Sequence, residues 1–391
     1  RLKSEVSKQL PPKTREDVRL ELPSGQRQAY DAALRAFAAK INAKGGSGDC
    51  GGGNAESETD REEALRLLRS LPAKALASSF THLRKLANQP LLVRGGHFFD
   101  ELKVEELARA SAALGLFGDG AGMSTPPGTK KSASDENGGF LLARIREELS
   151  GYSDLDLHNL AVSGGKRTRH LVLPGDAPLR DSAKSRHLAE LLPRLRAEGS
   201  RVLIFSQWLG CLDVLGMLLD SLGLSWSRLD GSTPVAERMA LVDEFNGEGG
   251  GGGGERGDAP SPSPSPRSKK NGKGPPPFAM LLSTKAGGQG LNLTGADAVV
   301  FHDVGFNPSV ERQGEDRAHR LGQTRPVRVY RLVSEGTVDE GIVELARRKA
   351  ALGDAVMGEG GEEGGGEGKY APGEKEGMAQ LLMQALQKVQ G

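Results

Sequence analysis

From Ser182 onward the chain alternates short, wholly apolar runs with stretches whose apolar residues recur every three or four positions, and few folds accommodate that pattern. Val202-Leu-Ile-Phe205 and Phe278-Ala-Met-Leu-Leu282 have strand length and no polar residue, as strands buried on both faces do. The sequence predicts an amphipathic helix over Leu188, Leu191, Leu192 and Leu195 that runs to Gly199, then a strand over Val202–Phe205. A helix over Leu212–Leu222, a strand over Trp226–Leu229 and a helix over Val235–Phe245 follow. Next come strands over Phe278–Leu282 and Ala298–Phe301, a helix over Val310–Leu321, a strand over Val327–Leu332 and a helix over Val338–Leu352. Strands that alternate with helices cross over rather than pair as hairpins. The expected fold is therefore α/β, a parallel sheet with helices on both faces.

Ahead of that region, residues 1 to 160 read as scattered helices, at Gln26–Ile41, Glu62–Leu71, Ser78–Ala87 and near Leu141–Leu149. Four low-complexity stretches, Gly45–Asn54, Gly118–Gly139, Gly247–Pro277 and Gly358–Gly377, hold much of the chain's 55 glycines and read as disordered loops or tails. The expected organisation is a helical connector over 1–180 with disordered insertions, an α/β lobe over 181–353 interrupted at 247–277, and a Gly/Glu-rich tail with a short C-terminal helix over 354–391. A net charge of +1 means that any nucleic-acid footprint must be local, and the patch Arg267–Lys270 is too short to serve as an import signal. Two cysteines, Cys50 and Cys211, are too few for a disulfide framework or a zinc site, which suits a reducing compartment. No apolar run approaches the ~20 residues of a membrane span. The first residue, Arg1, suggests a piece of a longer protein.

In an open parallel sheet, ligands gather in the loops beyond the strands' carboxyl ends. Four such loops carry unusual polar residues: Ser206-Gln207-Trp208, Asp230-Gly231-Ser232, Ser283-Thr284-Lys285-Ala286-Gly287-Gly288-Gln289-Gly290, and His302-Asp303 followed by Phe306-Asn307-Pro308. The glycines of the third loop either allow positive φ at a turn or form an anion-binding nest. G-x-x-x-x-G-K-[ST] occurs nowhere, and Gly164-Gly165-Lys166-Arg167-Thr168 misses its spacing and follows no strand. Gln313, Arg317 and Arg320 stand at i, i+4 and i+7, on one face of the expected helix, flanked by Glu315, Asp316 and His319. The face is either solvated charge or an anion contact. Two arginines on one face repel unless an anion or a carboxylate meets them, and the guanidinium fork suits a phosphate.

Taken in order, RVLIFSQW (Arg201–Trp208), LDGST (Leu229–Thr233), LLSTKAGGQGLNLTGAD (Leu281–Asp297) and QGEDRAHRLGQT (Gln313–Thr324) resemble motifs IV to VI of superfamily-two helicase motors. Within these they are similar to the SWI/SNF-type chromatin-remodelling ATPases. KQLPPK (Lys8–Lys13) and LRKLANQPLL (Leu83–Leu92) resemble the connector between that family's two lobes, and SDLDLHNLA (Ser153–Ala161) is most similar to the SMARCAD-type single-subunit remodellers.

The resemblance implies a RecA-like C-terminal lobe. Arg317 and Arg320 would be arginine fingers and Gln313 their catalytic companion. Gly288, Gln289, Gly290 and Asp297 would join the two arginines around ATP. Ser206, Gln207, Asp230, Gly231, Ser283, Thr284, Lys285, Phe306 and Asn307 would contact DNA. The Mg²⁺ that accompanies ATP would be held by an N-terminal RecA-like lobe absent from this chain, which carries no metal site and is expected to hydrolyse no ATP alone. Double-stranded DNA, nucleosomes and histones would be partners, the nucleus the location, and no membrane is involved. Three positions depart from the family pattern: Ser182-Ala183-Lys184 replaces Ser-Gly-Lys, Phe306 stands where Trp is common, and Gly247–Pro277 is a long insertion. A strand-separating helicase lobe shares motifs V and VI, and a pseudo-motor lobe kept for protein binding would share the fold.

Deleting Glu248–Gly274 is expected to leave the fold intact, since the segment has no apolar periodicity and loop length changes closure entropy by only about 0.6 kcal/mol per doubling. A large fall in melting temperature would show that the segment packs.

Overall fold

The computed structural model describes residues 10–42, 65–95, 98–116, 136–247, 275–284, 290–356 and 372–390. Six strands, β1 (Lys13–Leu20), β2 (Val202–Ser206), β3 (Trp226–Leu229), β4 (Ala279–Ser283), β5 (Ala298–Phe301) and β6 (Val327–Ser334), form one sheet in the order β1-β6-β5-β2-β4-β3. Every pairing is parallel. This is the parallel α/β sheet that the alternation of strands and helices predicts. Before β2 lie α1 (Ser24–Asn42), α2 (Ala73–Asn88), α3 (Glu101–Leu114), α4 (Glu136–Ser150), α5 (Asp154–Ser163) and α6 (Ala183–Ala197). After it come α7 (Leu209–Ser221), α8 (Val235–Asn246), α9 (Pro308–Ala318), α10 (Val338–Val356) and α11 (Pro372–Gln390). None of the helices among the described residues is long and apolar enough to cross a membrane.

All residues of β2, β4 and β5 are buried, because both faces of the sheet are covered. The two-residue period of a strand sorts them. Val202, Ile204, Ala279, Leu281, Ala298 and Val300 face Leu188, Leu191, Leu192 and Leu195 of α6 and Leu212, Leu215 and Leu219 of α7. Leu203, Phe205, Met280, Leu282, Val299 and Phe301 face the other way, onto Val242 and Phe245 of α8 and Leu291 and Leu293. Each such side chain fully removed from water contributes about 1.5–3 kcal/mol before entropy is charged against it.

The sequence shows only helices ahead of Ser182, and here the structure differs. Lys13–Leu20 is an edge strand that pairs with β6 along all eight residues, from Lys13 beside Val327 to Leu20 beside Ser334. Five of its eight residues are charged, so it shows no apolar alternation. Ion pairs hold it instead. Lys13 and Arg15 reach Glu315 at 2.9 and 2.5 Å, and Asp17 takes Arg331 at 2.7 Å and Arg347 at 2.5 Å. The C-terminal helix also does more than its flanking composition suggests: Met378, Ala379, Leu382 and Ala385 of α11 are buried with Tyr30, Leu34, Leu76 and Phe80 of α1 and α2.

The connector helices meet the sheet through buried polar groups. The last carbonyls of α2, which have no partner within their own helix, are each met by a side chain. Gln26 Nε2 donates to Leu86 O at 2.8 Å, Ser334 Oγ to Ala87 O at 2.7 Å, and Ser182 Oγ to Asn88 O at 2.7 Å. Beneath them Lys184, with no exposed surface, donates to Asn88 Oδ1 at 2.7 Å and to Asp339 Oδ2 at 2.6 Å.

Replacing Lys184 by Met leaves the Asp339 carboxyl buried without its cation, and should cost about 3–5 kcal/mol in a denaturant melt. Replacing both, Lys184→Met with Asp339→Leu, should recover most of that loss. If the double variant is as unstable as the single one, the penalty does not come from an unpaired charge.

Candidate functional site

Because the strands are parallel, the loops after β2, β3, β4 and β5 share one edge, and side-chain bonds stitch them together. Ser206 Oγ donates to the Asp303 carboxylate and accepts the Trp208 amide at 3.1 Å. The Gln207 amide donates to Asp303 at 3.1 Å, Gln207 Nε2 to Val304 O at 2.9 Å, and Thr284 N to Ser206 O at 3.0 Å. Burial pushes the Asp303 carboxyl above its usual range, opposed by Ser206, Arg84, Lys184 and the Gln207 amide. Burial, with Lys184 adding, pushes His302 down to about 3, so the imidazole is neutral. Asp230 is also buried: it accepts Ser232 N at 2.8 Å and Arg228 Nε at 2.6 Å. Burial alone would raise its carboxyl, but those partners hold it below the usual range.

The residues expected at this edge therefore divide. Ser206, Asp230 and Ser283 are buried within the loops, whereas Gly231 and Asn307 are exposed and Gln207, Thr284 and Phe306 are half-buried. Lys285 lies outside the described residues. Asn307 caps α9, its Oδ1 accepting Ser309 N at 3.0 Å. Phe306 stacks on Phe80 of α2 with centroids 5.6 Å apart. Two connector residues that sequence reasoning did not single out belong here. Arg84 lies over the rings of both Trp208 and Phe306, at 5.5 and 5.7 Å, and donates to Val304 O at 2.6 Å; Lys85 lies 5.8 Å from the Trp208 ring. The signal that could have found them is the Arg-Lys pair in the last turns of an amphipathic helix.

α9 leaves this edge and runs back along the sheet, so its end lies beside residues 290–297, the segment that leads into β5. Arg317 O accepts Leu293 N at 3.0 Å. The helix stops at Ala318, not at Leu321 as the sequence suggests, because His319 has left helical geometry (φ −92°, ψ 74°). Gln323 Nε2 bonds to Ala296 O at 2.7 Å and to Ala318 O at 3.1 Å and draws the chain away from the helix axis. Arg320 thus does not share a helical face with Gln313 and Arg317. It stands on the turn beyond, exposed, with Nη1 3.4 Å from Gly290 O.

Gln313 is exposed. Arg317 is buried, and its Nε has no hydrogen-bond partner among the described residues. Burial, then the like charge of Arg320, lowers its pKa, with Asp316 opposing. Asp297 faces elsewhere, accepting Ser200 Oγ and Arg201 N at 3.0 Å and Arg325 Nε at 3.1 Å. Gly288 and Gln289 lie outside the described residues.

Next to Arg317 on the same helix, Glu315 is wholly buried and carries the two ion pairs from β1; His319 Nε2 lies 2.8 Å from Pro11 O. The helix that bears the arginine is thus fastened to the edge strand.

The family model described as the helicase conserved C-terminal domain matches residues 270–322. The chain is 37% identical over 357 residues to the Protein CHROMATIN REMODELING 19 of Arabidopsis thaliana, covering 91% of this chain and 39% of that protein. It is 31% identical over 355 residues to the human SWI/SNF-related matrix-associated actin-dependent regulator of chromatin subfamily A containing DEAD/H box 1, covering 90% of this chain and 27% of that one. The chain thus spans under two-fifths of the length of these relatives. Among solved structures, the C-terminal part of the Fun30 ATPase domain superposes with a TM-score of 0.62 at 28% identity, covering 86% of this chain and 90% of that one.

Removing both cations, Lys13→Met with Arg15→Met, should cost about 3–5 kcal/mol at pH 8, because the Glu315 carboxylate stays buried without a partner. Glu315→Gln should cost far less, since Lys13 and Arg15 are part-exposed and can turn to water. Equal losses for the two variants would mean that the penalty does not come from a buried carboxylate left without its cations.

Proposed function

We propose that this chain, a C-terminal helicase lobe of the SWI/SNF type, supplies half of an ATP-dependent translocase that moves along double-stranded DNA and remodels nucleosomes in the nucleus. The observation that carries this reading is the pair Arg317 and Arg320: one guanidinium buried with an unfilled donor, the other exposed on the turn next to it. An N-terminal RecA-like lobe would bind ATP and Mg²⁺ through its own phosphate-wrapping loop and acidic motif. Arg317 and Arg320 would then meet the charge that spreads over the γ-phosphoryl oxygens as the bond loosens, with Gln313 beside them. Gly288, Gln289 and Gly290 would line the nucleotide side. Asp297, saturated by Ser200, Arg201 and Arg325, would steady that segment rather than take up a ligand.

At the strand-end loops the division of residues suits a backbone reader. Gly231, Thr284, Lys285, Asn307 and Gln207 would face DNA phosphates, which position a duplex without reading its sequence. Ser206, Asp230 and Ser283 would hold the loops in shape behind them, and Phe306, braced by Phe80 and Arg84, would set the height of the Asn307 turn. Histones and the first lobe would be the protein partners.

The test is DNA-stimulated ATP hydrolysis by the full-length protein. Arg320→Ala should lower kcat by about 10³-fold or more while ATP and DNA affinities stay near the parent's, because the group acts mainly in the transition state. Lysine should rescue poorly, since a point charge cannot make the bidentate contact. The 391-residue chain alone should turn over no faster than buffer. An Arg320→Ala enzyme within a few-fold of the parent, or robust turnover by the isolated chain, would refute the half-motor reading.

A further inference from the structure

The run Gly164-Gly165-Lys166-Arg167-Thr168-Arg169 belongs to none of the motifs used above, yet the structure makes it a built feature. α5 ends at Ser163. Gly164 keeps right-handed geometry (φ −73°, ψ −4°) and Gly165 turns left-handed (φ 63°). The Gly164 amide still donates to Leu160 O at 3.1 Å, and the change of hand at Gly165 turns the chain sharply off the helix. Two 3₁₀ turns follow, Gly165–Arg167 and Arg169–Leu171. Thr168 between them is buried, and its hydroxyl donates to Ala161 O. A side chain on Gly164 would collide with Thr168 Oγ1, so the glycine is what lets the turn close on its anchor.

On this fixed frame Lys166, Arg167 and Arg169 are all exposed. None of the three has an ion-pair partner among the described residues. Arginines on nearby segments do: Arg94 with Glu101, Arg109 and Arg146 with Glu105, and Arg180 with Asp176. Even the next residue, His170, lies 2.7 Å from Glu106. Three unneutralised cations within four residues are therefore a local concentration of positive charge. The turn also has a defined position. Leu171 and Leu173, which follow it, are buried with Cys211 and Val214 of α7, and Trp208 packs on the same cluster. Leu92 and Leu155 close over Gly210. The cationic turn is thus carried on the same apolar cluster as the loop after β2.

We propose that Lys166, Arg167 and Arg169 form a second, sequence-independent contact for the phosphate backbone of double-stranded DNA, extending the surface of the strand-end loops; this rests on the translocase reading. Two guanidinium forks and an ammonium held on one rigid turn match the oxygens of successive phosphodiesters. Continuity with the loop after β2 favours the duplex proposed there over an acidic peptide.

The experiment measures the affinity of full-length protein for double-stranded DNA at several salt concentrations. Neutralising all three residues, Lys166→Gln with Arg167→Gln and Arg169→Gln, should lower the slope of log Kd against log salt by about two to three, roughly one per lost phosphate contact, and equally on unrelated sequences. Arg167→Lys with Arg169→Lys should keep the slope. Should the triple variant fail to fold by circular dichroism, Arg167→Gln alone reads a fall of about one. A parent that binds DNA and a folded neutral variant with an unchanged slope overturn the proposal and leave the translocase reading standing. The same is true if the variant loses only binding to an acidic protein. A parent that does not bind duplex DNA defeats the translocase reading, and this proposal with it.

Discussion

The Lys184 ammonium has no exposed surface and lies between the carboxamide of Asn88 and the carboxylate of Asp339. Three segments far apart in sequence meet at that one charge: the end of α2, the start of α6 and the start of α10. Around it Gln26, Ser182 and Ser334 take up the last carbonyls of α2. A buried ion pair is weak evidence of net stability, but it is a strong constraint on geometry, since every misplacement leaves a charge or a carbonyl unpaired in an apolar surround. The connector helices are thereby registered on the α/β lobe. Arg84 and Lys85 sit in the last turns of α2, so their placement over Trp208 and Phe306 follows from the same registration.

The opposite flank uses charge differently. β1 has little apolar surface with which to pay for its own ordering, and its ion pairs with Glu315, Arg331 and Arg347 are partly open to water. Individually, exposed pairs contribute ~0–1 kcal/mol. Here they act on one face of a strand whose backbone is already paired along its length, and Glu315 and Arg331 are themselves buried. The network thus selects register: a slip of one residue would turn Arg15 and Asp17 away from their partners. It also fastens α9 to the strand beside it.

At the carboxyl edge of the sheet, polar residues separate into those that shape loops and those that face outward. Ser206 and Asp303 tie the loops after β2, β4 and β5 into a unit, and Asp230 closes the turn after β3 on itself. A loop held by its own buried hydrogen bonds presents backbone amides and small side chains at fixed positions, which is what contact with a repeating phosphate backbone requires.

How much of this was legible in the sequence depended on which force held each element. The central strands and α6, α7 and α8 announced themselves because two-faced burial and helical amphipathicity leave an apolar period in the residues, and the parallel sheet followed from their alternation. The polar composition of the strand-end loops and the presence of Arg317 and Arg320 were equally plain, because each is a local run of residue types. Three things were decided only by tertiary structure. β1 exists because distant charges receive it, so Lys13–Leu20 carries no local sign of being a strand. α9 ends at Ala318, where the Gln323 amide joins the last helical carbonyl to Ala296 O of the segment before β5, and no rule of spacing places it there. Whether Ser206 turns inward depends on where the Asp303 carboxylate lies, and that residue reaches β2 only when β5 pairs beside it. Apolar periodicity is written along the chain, whereas a hydrogen bond or an ion pair between separate segments comes into being only when the fold brings its two ends together.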